Sequence, residues 1–188
     1  MKKLLLVAAL VLVVAGLLVA VAPARDGKNG KNGKGTLDAK LDGFSEVPAV
    51  STTARGDFKA RLRGDSIEFR LRYRDLEAPV RFAHIHFGQE DVNGGVAAFL
   101  CGGGGKPACP QSGTVTGTVV ASDVIGPAEQ GIAAGELDEL LRAMKAGNTY
   151  ANVHSDKFPG GEIRGQIGDD DDHDRGRGKG RDHDDDDD

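Results

Sequence analysis

Cysteine is scarce in this chain of 188 residues: Cys101 and Cys109 are the only two. A structural zinc centre needs about four ligands, which this pair alone does not supply. The spacing is also not the Cys-x-x-Cys of redox-active pairs. No cysteine stands at the exit of the N-terminal apolar run, so a lipoprotein anchor is not expected. There is no Asn-x-Ser/Thr acceptor, which excludes N-glycosylation. The C-terminal aspartates lack the ordered Gly and Glu of an EF-hand loop. No nucleophile is paired with a base or second acid in the pattern of a hydrolytic site, so the sequence points to no hydrolase.

What is present begins with an export signal. Met1-Lys2-Lys3 precedes an apolar run from Leu4 to Val21, and Ala22-Pro23-Ala24 offers a small-x-small exit. This reads as a signal peptide over 1–24, cut after Ala24. An uncleaved anchor is the alternative, since about 18 apolar residues lies near the lower limit for a bilayer span. Membrane association is expected only in that case, and the protein is expected to be secreted, periplasmic or at the cell surface. An oxidising compartment favours joining Cys101 to Cys109 across the Gly-rich loop between them.

The net charge of −5 hides two opposite ends. Residues 25–35 carry Arg25, Lys28, Lys31 and Lys34 against Asp26, a net of +3, and read as a flexible basic linker. Residues 169–188 carry eleven aspartates against Arg175, Arg177, Lys179 and Arg181, a net of −7. That tail cannot bury a core and reads as disordered, solubilising and a weak binder of divalent cations. It repels nucleic acid, so no nucleic-acid partner is expected. Residues 36–168 remain, enough for one domain with a real core.

Period-two alternation dominates that domain. Phe58, Ala60 and Leu62 share one strand face, and Ile67, Phe69, Leu71 and Tyr73 share another. Gly64-Asp65 between them reads as a two-residue hairpin turn in which Gly supplies the positive φ. Further strands are expected at Thr36–Leu41, Val80–Phe87, Val96–Leu100, Gly113–Val120, Thr149–Val153 and Glu162–Ile167. Leu137, Leu140, Leu141 and Met144 fall at helical spacing, so one short helix is expected near 136–146, capped by Gly135 and ended by Gly147. The class is all-β: an antiparallel Greek-key β-sandwich, superoxide-dismutase-like or immunoglobulin-like, with one helix. Two Arg-Gly-Asp triplets, at Arg55 and Arg63, read as turn chemistry.

Three histidines fall inside the domain. His84 and His86 are two apart on an expected strand and project from one face. His154 follows Tyr150 and Asn152 on the same face of another. If the two strands pair, three imidazoles converge, a set suited to copper or zinc. The competing reading has these histidines bonded to loop backbone, fixing strand ends. Glu162 and Arg164 share a face and are expected to form ion pairs, and Glu46-Val47-Pro48 is expected to end the first strand.

Leu41–Pro48, Ala83–Gly88, Gly147–His154 and Pro159–Ile167 together resemble the CHRD domain, a family named after chordin and common in exported bacterial proteins. The resemblance spans Thr36 to Gly168 and implies an all-β domain. In chordin the domain belongs to a secreted antagonist of growth factors, and bacterial members mostly have no assigned activity. His84-Ile85-His86 also resembles the copper-binding strand of copper/zinc superoxide dismutases, without their zinc cluster or bridging histidine. The function expected first is an exported binding or structural module for a protein or extracellular polymer. The alternative is a copper-binding protein using His84, His86 and His154, with dismutase activity the weakest reading.

Overall fold

A computed structural model describes residues 35–169. The expected signal peptide, most of the expected basic linker and nearly all of the acidic tail lie outside these residues. Within them the chain forms β1 (Thr36–Asp42), β2 (Arg55–Leu62), β3 (Ile67–Arg74), β4 (Val80–Phe87), β5 (Gly95–Cys101), β6 (Gly113–Val119), α1 (Leu137–Lys145), β7 (Thr149–Ser155) and β8 (Ile163–Asp169). Two short 3₁₀ turns, Ala121–Asp123 and Ala128–Gln130, lack any hydrophobic stripe and were not expected. No helix among the described residues is long and apolar enough to cross a membrane.

The eight strands form one continuous sheet in the order β5-β4-β7-β8-β1-β2-β3-β6, with every pairing antiparallel. The expected all-β class with one helix is therefore present. The two-layer sandwich is not resolved into separate sheets: the sheet curls until its edge strands β5 and β6 approach one another. The links β3 to β4, β5 to β6 and β6 to β7 join strands that are not hydrogen-bonded neighbours. Cys101 and Cys109 are joined by a disulfide, and the loop they close reaches β6 through Lys106 Nζ, which donates to Thr118 O at 2.9 Å and Asp123 Oδ2 at 2.8 Å.

Burial follows the alternation. β3 alternates buried and exposed along its whole length, and its inward Phe69 stacks on Phe58 of β2 at 6.3 Å between ring centroids. The core continues through Leu41, Ile85, Leu100, Leu140, Met144, Ile163 and Ile167. Each fully buried Leu or Ile contributes about 1.5–3 kcal/mol, which offsets the ordering of the loops around it. The hairpin turn at Gly64-Asp65 is closed by Arg63 N–H donating to Ser66 O, yet Gly64 does not take a positive φ. Arg55-Gly56-Asp57 is not a turn at all but the start of β2. Gly56 is needed there because a Cβ would lie 2.8 Å from Arg72 O. The helix cap is Glu136 rather than Gly135, which precedes it at φ +88°. Gly147 follows the helix end at φ +70°, as a C-terminal stop requires.

Strand β7 departs from the pattern, being buried at all seven positions. Ala151 and Val153 face the apolar core. Its other face presents Tyr150, Asn152 and His154, and a buried polar face must be covered and satisfied by something.

Candidate metal centre

The pairing of β4 with β7 builds the centre. In register Phe82 faces His154, His84 faces Asn152, and His86 faces Tyr150. Ala83 and Ile85 point into the core, so the alternation turns His84 and His86 to the opposite side of the sheet, beside the polar face of β7. His84, His86 and His154 come together there, each less than a tenth exposed. Their ligand atoms lie within 4.8 Å of one another, and among the described residues they are the one group of three metal-ligating side chains.

Hydrogen bonding sets the tautomers. His86 Nδ1 lies 3.0 Å from Gly94 O, and His154 Nδ1 lies 2.9 Å from Pro159 O. A carbonyl only accepts, so both Nδ1 atoms carry the proton and both Nε2 atoms are left as bare lone pairs. His154 Nε2 then accepts from His84 Nδ1 at 3.0 Å. His84 Nε2 and His86 Nε2 are buried with no hydrogen-bond partner. A buried polar atom left unpaired costs about 1–3 kcal/mol, so two side by side call for an occupant. Metal-ligating histidines commonly donate their other nitrogen to a carbonyl, the arrangement His86 and His154 show.

The dimensions suit an ion after a small adjustment. Imidazole binds copper or zinc at roughly 2.0–2.1 Å. The 3.0 Å contact between His84 Nδ1 and His154 Nε2 is a hydrogen bond, so an ion held by both rings would have to replace it, with His84 either offering Nε2 or moving its proton from Nδ1 to Nε2. The widest gap, up to 4.8 Å, exceeds twice that bond length, so a ring would have to shift for all three to reach one ion.

Electrostatics keep the ligands neutral. Burial, reinforced by His154 and His86, lowers the pKa of His84 to about 3. Burial lowers that of His86 to about 4 against the opposing bond to Gly94, with His154 and Arg164 adding to the fall. Burial also lowers His154. Neutral imidazole is the form a metal takes. The rings sit among aromatics: Phe99 meets His84 edge-on at 4.4 Å, and Phe82 stacks on it at 5.8 Å.

A second tier holds the centre in place. Tyr150 lies parallel to His86 at 4.6 Å, and the Arg164 guanidinium lies 3.5 Å above the Tyr150 ring. Arg164 also donates to Gln89 O, Val92 O and Asn93 Oδ1, fastening the loop whose Gly94 O receives His86. Glu46 accepts from Asn152 Nδ2 at 2.6 Å, and burial, opposed by Arg164 and Asn152, raises its pKa to about 7.

Three sequence expectations change here. Glu162 forms no ion pair: it is fully buried and accepts from Thr52 Oγ1, Ser155 Oγ and the Glu77 N–H, because the loops around it present hydroxyls and an amide rather than a cation. Arg164 spends its donors on carbonyls and one amide oxygen instead of a neighbouring strand's carboxylate. Glu46 lies beyond the end of β1, which stops at Asp42, and serves as a buried acceptor. The tiers formed by Arg164, Gly94 O and Pro159 O were missed; the parity of Arg164 with Gln166 and Glu162 was the one signal available. His173 and His183 lie outside the described residues.

A family model described as CHRD domain matches residues 37–167. No curated protein and no solved structure matches the chain.

Proposed function

The chain belongs to the CHRD domain family, and from that premise we propose that it is an exported member whose β domain binds one copper ion between His84, His86 and His154. The observation that carries this reading is the pair of buried, unpartnered Nε2 atoms on His84 and His86, beside a third imidazole with its tautomer already set. Purely structural histidines would have both ring nitrogens occupied or exposed. Copper is the preferred occupant because it suits imidazole and, unlike zinc, can enter as a monocation into a buried cluster that has no charged ligand. The disulfide supports placement in an oxidising compartment outside the cytoplasm.

The test is copper titration of the purified chain. The reading expects one ion per chain, with the signal lost in His86→Ala while the fold is retained by circular dichroism. Copper bound in proportion to the aspartates, and equally by His86→Ala, would contradict it. A second reading, recognition of an anionic extracellular polymer, is favoured by the exposed Lys59, Arg61, Arg70 and Arg72 on the outer face of β2 and β3. Charge reversal at Arg70 and Arg72 would abolish such binding and leave copper uptake unchanged.

A further inference from the structure

We infer that the three-histidine centre is selective for the cuprous ion, and that it holds copper in the reduced state instead of cycling it. This rests on the copper-binding reading above and adds the oxidation state. The argument is one of charge. Every donor in the cluster is a neutral imidazole, and no carboxylate or thiolate belongs to it. Asn152, opposite His84 in register, has its Oδ1 buried and unpartnered, and it too is neutral. The carboxyl of Glu46 is engaged by Asn152 Nδ2 at 2.6 Å.

An ion entering here thus keeps its full charge in a covered, largely aromatic setting. The rings are nine-tenths buried, with Phe82 and Phe99 against His84. The cost of carrying charge into such a medium grows as its square, so a dication pays about four times what a monocation does. Arg164 adds a fixed positive charge, stacked on the Tyr150 ring that lies against His86, and the nearby Glu46 carboxyl, its pKa raised to about 7 by burial, offsets that charge only in part near neutral pH. It repels a dication more than a monocation. Zinc in a three-ligand site ordinarily adds a water, and a closed set of buried rings resists that addition. Dismutase chemistry needs both oxidation states held comparably, so this centre suits carriage or storage of reduced copper.

The experiment uses the full chain purified from an exporting host. Cu(I) is titrated under reducing conditions against bicinchoninate, and Cu(II) and Zn(II) against nitrilotriacetate. The inference expects one Cu(I) per chain, lost in His84→Ala and in His154→Gln, and held about a hundredfold or more tighter than Cu(II). That ratio places the bound couple about 120 mV above the free ion, at 59 mV per tenfold. X-ray absorption on the unmutated protein supplies an edge free of any folding defect, and it should report Cu(I) with nitrogen neighbours. Histidine-dependent Cu(II) binding as tight as Cu(I), or a Cu(II) edge in the isolated protein, would overturn the selectivity and leave the copper-binding reading standing. Absence of any histidine-dependent copper would overturn both.

Discussion

Two buried polar clusters adjoin strand β7 and differ in how completely they are satisfied. Around Glu162, Oε1 accepts from Thr52 Oγ1 at 3.0 Å and from the Glu77 N–H at 2.9 Å, while Oε2 accepts from Ser155 Oγ. Thr52 Oγ1 accepts in turn from the Ala54 N–H. This cluster is closed and ties three loops to the sheet. Around His84 and His86, two imidazole nitrogens have nothing. The contrast separates a strut from a site: burial and polarity are common to both, and only the second is incomplete. Incompleteness is costly, and a fold that retains it gives up stability for something else.

The comparison sharpens under substitution. Glu162→Ala strands two buried hydroxyls and one N–H, at about 1–3 kcal/mol each before relaxation. Denaturant unfolding should show a loss of roughly 3–5 kcal/mol, while the folded fraction still takes up copper.

Acid should act on the incomplete cluster instead. The folded pKa values of His84 and His86 are depressed to about 3 and about 4, whereas the unfolded chain takes protons near 6.5. Their contribution is complete above pH 6.5 and is lost as pH falls towards 4, by roughly 3 kcal/mol each at pH 4. Glu46 has the opposite sign. With its folded pKa raised to about 7, its contribution is present below its ordinary value of 4.5 and is lost as pH rises through 7. Thermal melts from pH 7 to 4 should therefore fall less steeply in the native chain than in Glu46→Gln.

Gly161 lies between the clusters, at φ +131°, where a Cβ would meet Asn152 Nδ2 and Glu46 Oε1 at 2.6 Å each. Gly161→Ala should cost about 2–3 kcal/mol and disturb copper binding as well, since Asn152 and Pro159 both serve that centre. Smallest is the stability effect of His84→Ala in the metal-free protein. It removes one unsatisfied nitrogen and the packing of a ring and leaves His154 Nε2 without its donor, which water entering the vacated space can replace, so a loss of ~1–2 kcal/mol is expected. A larger loss, approaching that of Glu162→Ala, would mean the two clusters are alike and both are struts.

How much of this was legible follows from the range of each signal. Period-two alternation is local, and it located all eight strands and showed that His84 and His86 share a face. Convergence with His154 depends on β7 lying beside β4, a pairing across 70 residues that no local pattern encodes. The Glu162 strut and the Arg164 clamp were read as ion pairs because charged side chains two apart suggest cross-strand partners. Their actual partners are carbonyls, an N–H and side-chain hydroxyl or amide groups on loops and at the end of β7, which carry no periodic mark. Gly94 O and Pro159 O, which set two tautomers, are backbone atoms that any residue could have supplied. A continuous curled sheet and a two-layer sandwich also share the same alternation, so the sequence could not separate them.

The most direct test of the central claim is the copper content of the exported chain, measured beside His84→Ala and beside a version ending at Asp169. The account predicts one copper per folded chain, unchanged by removal of residues 170–188 and absent in His84→Ala. Copper that survives in His84→Ala and disappears with the acidic tail would contradict it.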